Sequence, residues 1–144
     1  MNKEKDTIGI VFPMLRDHIQ RIFQDQKNVF VKFLAREVLP RRLRAGSRLF
    51  FYQSGGSKEI VGEARIDEIA VGTVQEVLAK FGERLFITRS ELEEYAGNRG
   101  AKTMLILLLD DPKKYKVPLK LGKSVTMAGQ YMTKEMYDTL KSGP

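Results

Sequence analysis

The chain has no cysteine, a single histidine and no long apolar run. Without cysteine there are no disulfides, no thiolate metal ligands and no cysteine nucleophile. One histidine, His18, among scattered carboxylates does not make the ligand cluster of a zinc or iron site, and no cofactor is expected. A Ser-His-Asp triad would have to use His18, and no Gly-x-Ser-x-Gly elbow accompanies it. A P-loop and a Gly-x-Gly-x-x-Gly fingerprint are both missing, so dedicated nucleoside-triphosphate and dinucleotide sites find no support. No apolar stretch approaches the ~20 residues of a membrane span. The polar start, Met1 to Asp6, has no apolar segment behind it of the kind a secretory signal carries. A cytoplasmic protein is expected. At 144 residues, without a repeat or linker, it reads as one domain over 1–144, with loose termini at 1–6 and 142–144.

Charge is plentiful and unevenly placed. The formal net charge is +7. From Lys27 to Arg48 there are seven basic residues and one acid, Glu37, net +6; from Lys113 to Lys123 there are five lysines and no acid, net +5, so the remainder is net −4. Either this is a basic surface that serves solubility, or the two segments meet in space as a face for an anionic ligand.

Hydrophobic spacing predicts the elements. Ile8–Phe12 reads as a strand, and Pro13 suits the first turn of a following helix. Leu15, Ile19, Ile22 and Phe23 recur at helical period. Val29, Val31 and Phe33 alternate as in a strand. Leu39 to Gly46 is a basic connector punctuated by Pro40 and Gly46. Ser47–Gln53 and Glu59–Ile69, joined across Ser54-Gly-Gly-Ser57, form an antiparallel hairpin. In its second strand Ile60, Gly62, Ala64 and Ile66 are expected on one face, and the two small residues leave room there for close approach. Thr73-Val-Gln-Glu76 is a capping box, with Gly82 as the stop. A short helix follows over Ser90–Ala96, with Leu92 and Tyr95 inward. Thr103–Leu109 reads as a buried strand ended by Asp110-Asp-Pro112, acids best explained by turn chemistry rather than magnesium. Lys116–Leu121 and Ser124–Tyr131 are expected to be extended, and Thr133 caps a last helix. Neither a βαβα alternation nor an all-β spacing fits; a small α+β domain with a mixed, strongly curved sheet does.

Most chemically suggestive residues have an ordinary explanation. His18 lies at the edge of an apolar stripe and reads as structural. Glu91, Glu93 and Glu94 form a helix N-terminal charge cluster. Phe50 and Phe51 read as core, whereas Tyr52 and Tyr131 sit beside basic segments and small polar residues. Aromatics on a sheet stack on unpaired bases, and neighbouring arginines take phosphates. The segment Ser124-Val-Thr-Met-Ala-Gly-Gln-Tyr131 lines a polar pocket or forms an irregular edge strand.

Over residues 8–131 the order of elements resembles the PUA-like superfamily, within it the ASCH-type branch. The resemblance rests on a helix ending in a Lys-bearing turn, a strand, then Gly46-Ser-Arg-Leu-Phe-Phe-Tyr52 and Ile60-Val-Gly-Glu-Ala-Arg-Ile66. It looks most like an archaeal PUA-like family of uncharacterised function that carries a segment similar to Thr126-Met-Ala-Gly129. The ASCH signature Gly-x-Lys-x-x-Glu-x-Arg falls on Asp25-Gln-Lys-Asn-Val-Phe-Val-Lys32. Lys27 is kept; Lys32 keeps the charge of the Arg but loses its fork; Phe30 replaces the Glu, and Asp25 the Gly. The resemblance implies a PUA-like curved mixed β-barrel with peripheral helices, and RNA or nucleic acid binding. Some ASCH-like proteins hydrolyse modified nucleosides or cleave RNA. Phe30 transfers no proton, so such activity here would need a carboxylate from elsewhere, Glu63 being the neighbouring-strand candidate.

The combined expectation is an RNA- or nucleic-acid-binding module without membrane or metal. Arg36, Arg41, Arg42 and Arg44 hold phosphates, while Lys27, Lys32, Tyr52, Ser54, Thr126 and Tyr131 line a pocket for an unpaired or modified base. The alternatives are a hydrolase of a modified nucleoside or small amide, built on Lys27, and an interaction module for an acidic protein.

Overall fold

A computed structural model describes residues 6–34, 41–56, 58–99 and 102–142. Six strands and four α-helices follow one another along them: β1 (Thr7–Met14), α1 (Arg16–Gln24), β2 (Val29–Phe33), β3 (Arg48–Gln53), β4 (Glu59–Gly72), α2 (Val74–Phe81), α3 (Arg89–Ala96), β5 (Met104–Lys120), β6 (Gln130–Thr133) and α4 (Lys134–Ser142). The strands make one mixed sheet in the order β2-β5-β4-β3-β1-β6. All neighbours are antiparallel except β1 and β3. The α+β class with a mixed sheet is therefore as expected.

The sheet curls strongly but keeps two edges. β2 and β6 are its ends in the hydrogen-bonding order, so hydrogen bonding does not close the barrel. Side chains bridge the gap instead: Phe12 of β1 stacks on Phe30 of β2, ring centroids 5.5 Å apart and planes 14° off parallel, although three strands separate them in the sheet.

Period-two alternation sorts the core into two layers. Ile10, Phe12 and Met14 of β1 and Leu49 and Phe51 of β3 face the main core, where Ile19, Ile22, Val77 and Leu92 of α1–α3 cover them. The intervening Val11, Phe50 and Tyr52 face the other way, under Met136, Tyr137 and Leu140 of α4. Caps fix the helix starts. Thr73 makes the expected capping box with Glu76, and Thr88 makes a second one with Glu91.

Three local expectations need correction. Pro13 does not open the helix; it is the penultimate residue of β1, paired with Tyr52 of β3. The β1–β6 ladder has already stopped at Val11, so the missing N–H falls where no strand needs it. Asp110-Asp-Pro112 does not end the buried strand; β5 runs on to Lys120. The register with β4 skips Asp111 and Pro112, and Asp111 has φ +52°, so the turn-forming residues make a bulge. Ser124–Tyr131 is extended only from Gln130, where the edge strand β6 begins.

The bulges also switch faces along β4. Ile60 packs in the α4 layer while Ala64 and Ile66 pack in the main core, so the four residues expected on one face divide between two. Gly62 lies at the switch, and a Cβ there would stand 2.6 Å from both the Lys113 carbonyl oxygen and Phe23 Cζ. Backbone and an aromatic ring use the close approach this glycine permits.

Candidate ligand cleft and basic groove

A cleft of about 560 Å³ opens where the ends of β1 and β2 meet α1 and α3. Phe12, Phe30 and Phe86 form its aromatic wall; Phe86 leans on Phe30 at 5.0 Å between centroids. Met127, 59% exposed, overhangs it from the loop before β6. The loop can lie that close because of Gly129. With φ +82°, a Cβ there would collide with the Phe12 ring. The glycine expected to let backbone approach a ligand thus seats the loop on the aromatic wall.

The polar groups are few and differ in mobility. Lys32 Nζ lies 4.9 Å above the Phe12 ring centroid and 3.5 Å from the Phe33 carbonyl oxygen. Desolvation by the surrounding apolar wall lowers its pKa. Ser54 and Glu94 add a hydroxyl and a carboxylate to the lining. Glu91 is immobilised: Arg21 Nη1 and Nη2 donate to it at 2.5 and 3.2 Å, and the Thr88 N–H at 2.8 Å. Chiefly through the Arg21 bond, its pKa falls to about 2. His18 Nε2 sits 3.4 Å from the same carboxylate, its ring edge-on to Phe86. The arrangement presents a flat apolar slot with an amine at its floor and a fixed negative charge at its side.

Only part of the expected pocket gathers here. Lys32 and Ser54 line the cleft, and Thr126 is exposed beside Met127. Lys27 lies elsewhere, its Nζ donating to the Glu83 carbonyl at 2.6 Å. Tyr52 is buried in the α4 layer, on the other face of the sheet from the cleft. Tyr131 is half-buried beneath the Arg42 guanidinium, 4.4 Å from centroid to Cζ. Arg42 Nε also donates to Thr7 Oγ1 at 2.7 Å, so Arg42 pins the basic connector onto β1 and β6. Arg41 and Arg44 are exposed. Arg36 lies outside the described residues. The sequence reading missed Glu91, Glu94, Phe86 and Tyr95 as cleft residues. A signal for Glu91 was present, since Thr88-Arg-Ser-Glu91 repeats the capping pattern read at Thr73.

The other layer carries a basic groove of about 720 Å³. Arg48 of the first basic segment and Lys113, Lys114 and Lys116 of the second line it together. Glu63 lies at its floor, 8% exposed, accepting from the Tyr115 hydroxyl at 2.8 Å and the Tyr137 hydroxyl at 3.4 Å, with Arg48 Nε at 3.5 Å. Burial, then the bond to Glu63, raises the Tyr115 pKa far above the ordinary phenol range. Glu63 thus belongs to the groove, not to the cleft, and does not replace the carboxylate lost at Phe30. The register explains why: the bulges of β4 turn it to the α4 side. Among the described residues no group of three or more His, Asp or Glu side chains is placed to hold a metal ion.

The curled sheet, the helices over its main-core face and the cleft between β1 and β2 define an ASCH-type fold. A single-residue variant of the ASCH protein of Zymomonas mobilis superposes with a TM-score of 0.78 at 20% identity, over 95% of this chain and 96% of that one. The N-terminal domain of Staphylothermus marinus McrB gives 0.57 at 15% identity, over 99% and 98%. In sequence, an uncharacterized protein of the archaeon Methanocaldococcus jannaschii is 23% identical over 103 residues, 65% of this chain and 95% of the relative. The chain belongs to the family described as a domain of unknown function, DUF365, whose model matches residues 7–134.

Proposed function

We propose that this chain is an RNA-binding module whose cleft takes an unpaired, or modified, base. The observation that carries the reading is the aromatic wall of Phe12, Phe30 and Phe86 facing the half-buried amine of Lys32. The cleft volume is in the range of small-molecule sites, where apolar walls supply contact and a few polar groups fix orientation. A base sits in the cleft against Met127 and the edges of the buried aromatic rings, Lys32 donates to a carbonyl or ring nitrogen on its edge, and Ser54 or Glu94 reads a second position. Arg41 and Arg44, exposed on the connector, and Arg36 contact flanking phosphates; Thr126 flanks the mouth. Phosphate contacts add affinity without reading sequence.

The test is a titration of short single-stranded RNAs and single nucleosides, unmodified and base-modified, into the wild type, Met127→Glu and Lys32→Met. Met127 is exposed, so the first variant alters the mouth without touching the core. Wild-type binding that both variants weaken at least about tenfold, roughly 1.4 kcal/mol, is expected. No binding of either probe class, or binding indifferent to both substitutions, overturns the reading.

One observation favours a second reading. The depressed pKa of Lys32 suits an amine that takes part in chemistry, so hydrolysis of a modified nucleoside or small amide would rest on Lys32 and Glu94 rather than on Lys27. Turnover of acylated nucleosides that vanishes in Lys32→Ala would replace the binding reading with this one.

A further inference from the structure

We infer that the basic groove on the α4 side is a binding surface for a phosphodiester backbone, distinct from the cleft. The inference extends the RNA-binding reading to a second face of the sheet, because the cleft is built on residues of the main core and the groove on Tyr115 and Tyr137 of the other layer.

Three features carry it. The first is uncompensated charge. The groove is lined by Arg48, Arg65, Lys113, Lys114, Lys116 and Lys141 against only Glu63 and Asp111. Arg48 is matched by Glu63, Arg65 by Asp67 and Asp110, and Lys113 by Asp111. Lys114, Lys116 and Lys141 have no carboxylate within ion-pair distance among the described residues.

The second feature is rigidity. Arg48 and Arg65 stand directly opposite each other in the β3–β4 ladder, a like-charge pair that sheets ordinarily avoid. The buried Glu63 holds the first of them, and the Tyr115 and Tyr137 hydroxyls hold Glu63. The Tyr137 ring in turn carries the Arg48 guanidinium at 5.3 Å and the Lys141 amine at 5.2 Å. Arg48 and Lys141 are thereby held at the groove, between the exposed Lys114 and Lys116 and the buried Glu63 floor.

The third feature selects the partner. Among the described residues, no aliphatic side chain lines the groove. A protein interface needs an apolar or aromatic centre shielded by a polar rim, whereas a nucleic acid backbone is met by cations and release of its counterions. The groove has the cations, and its two aromatic residues do not form such a centre: the Tyr115 and Tyr137 hydroxyls bond Glu63, and Arg48 and Lys141 cover the Tyr137 ring.

The test is fluorescence anisotropy with a labelled single-stranded RNA of about one to two dozen nucleotides across a salt series, with base-free inorganic polyphosphate as a second probe. The variant is the triple substitution Lys114→Gln, Lys116→Gln and Lys141→Gln, three exposed side chains whose loss leaves the core intact. Losing three phosphate contacts should lower the slope of log K against log salt by about 2, with weaker binding of both probes. Met127→Glu in the cleft should leave polyphosphate binding unchanged, so a failure of the base pocket and a failure of the groove give different patterns. A triple variant with wild-type slope and affinity overturns the inference. Polyglutamate that competes as well as RNA at equal charge also overturns it, and assigns the groove to an acidic protein.

Discussion

The carboxylate of Glu91 joins α1 to α3, taking two bonds from Arg21 and one from the Thr88 N–H. Its folded pKa, about 2, lies below that of an ordinary glutamate, so the folded state binds the proton less tightly than the unfolded chain. The contribution is therefore complete above the ordinary carboxylate range and disappears as pH falls toward about 2. Glu91 is more than a third exposed, so solvent screening keeps it modest. In melting curves, Glu91→Gln should lower Tm at neutral pH, and its gap to the wild type should narrow steadily below about pH 4.5. Lys32 works in the opposite sense. Its amine is charged at a cost, because burial disfavours the ion and, among the described residues, no carboxylate lies within ion-pair distance. That cost fits the binding role proposed for Lys32 in the cleft. Lys32→Met, which weakens binding in the test above, should melt at or above the wild-type temperature.

At the scale of elements, the bulges of β4 and β5 decide which chemistry appears on which face. Gly62 lies among them, between Phe23 and the Lys113 carbonyl. Gly62→Ala should cost about 2 kcal/mol through overpacking, measured as a shifted urea midpoint at unchanged slope. It should disturb the Lys113 side of the groove while the cleft keeps its ligand. The elements themselves were mostly legible. The hairpin, the Thr73 capping box with its Gly82 stop, and the Thr133-capped helix follow from local spacing, and local spacing is what short-range hydrogen bonds obey. The bulges were not legible, because Asp110-Asp-Pro112 has the composition of a turn and only pairing with β4 keeps it in a strand. Glu63, the candidate to replace the carboxylate lost at Phe30, lies in the groove on the α4 side. A one-residue slip moves every side chain beyond it across the sheet, and nothing in a single strand's alternation reveals the slip. Tyr52 illustrates the limit from the other side. Its neighbours are polar and basic, yet α4, distant in sequence, covers it.

For the whole molecule, the fold has two apolar layers of unequal strength, and α4 is the lid of the smaller one. The family model ends at the first residue of that helix, but the packing does not. Met136, Tyr137 and Leu140 cover Phe50 and Met132, and the Tyr137 hydroxyl reaches the buried Glu63. Ending the chain after Thr133 should cost about 3 kcal/mol or more, since it exposes apolar surface and strips a partner from a buried carboxylate. Denaturant unfolding checks the loss, and binding of a hydrophobic dye checks the exposure. The charge map was readable as two segments, but the meeting of the second with Arg48 of the first was not. It needed β5 to run past its acids so that Lys113, Lys114 and Lys116 lie along the same groove as Arg48.

The N-terminal strand has a consequence that concerns time rather than shape. β1 is an interior strand, hydrogen-bonded to β3 on one side and to β6 on the other, with Thr7 opposite Thr133. During synthesis it leaves the ribosome well before β6, its partner on that side. At some 5–20 residues per second that interval lasts several seconds or longer. Throughout it, Val11 and Phe12 are apolar groups on an unpaired edge, open to whatever nascent chain or chaperone is nearby.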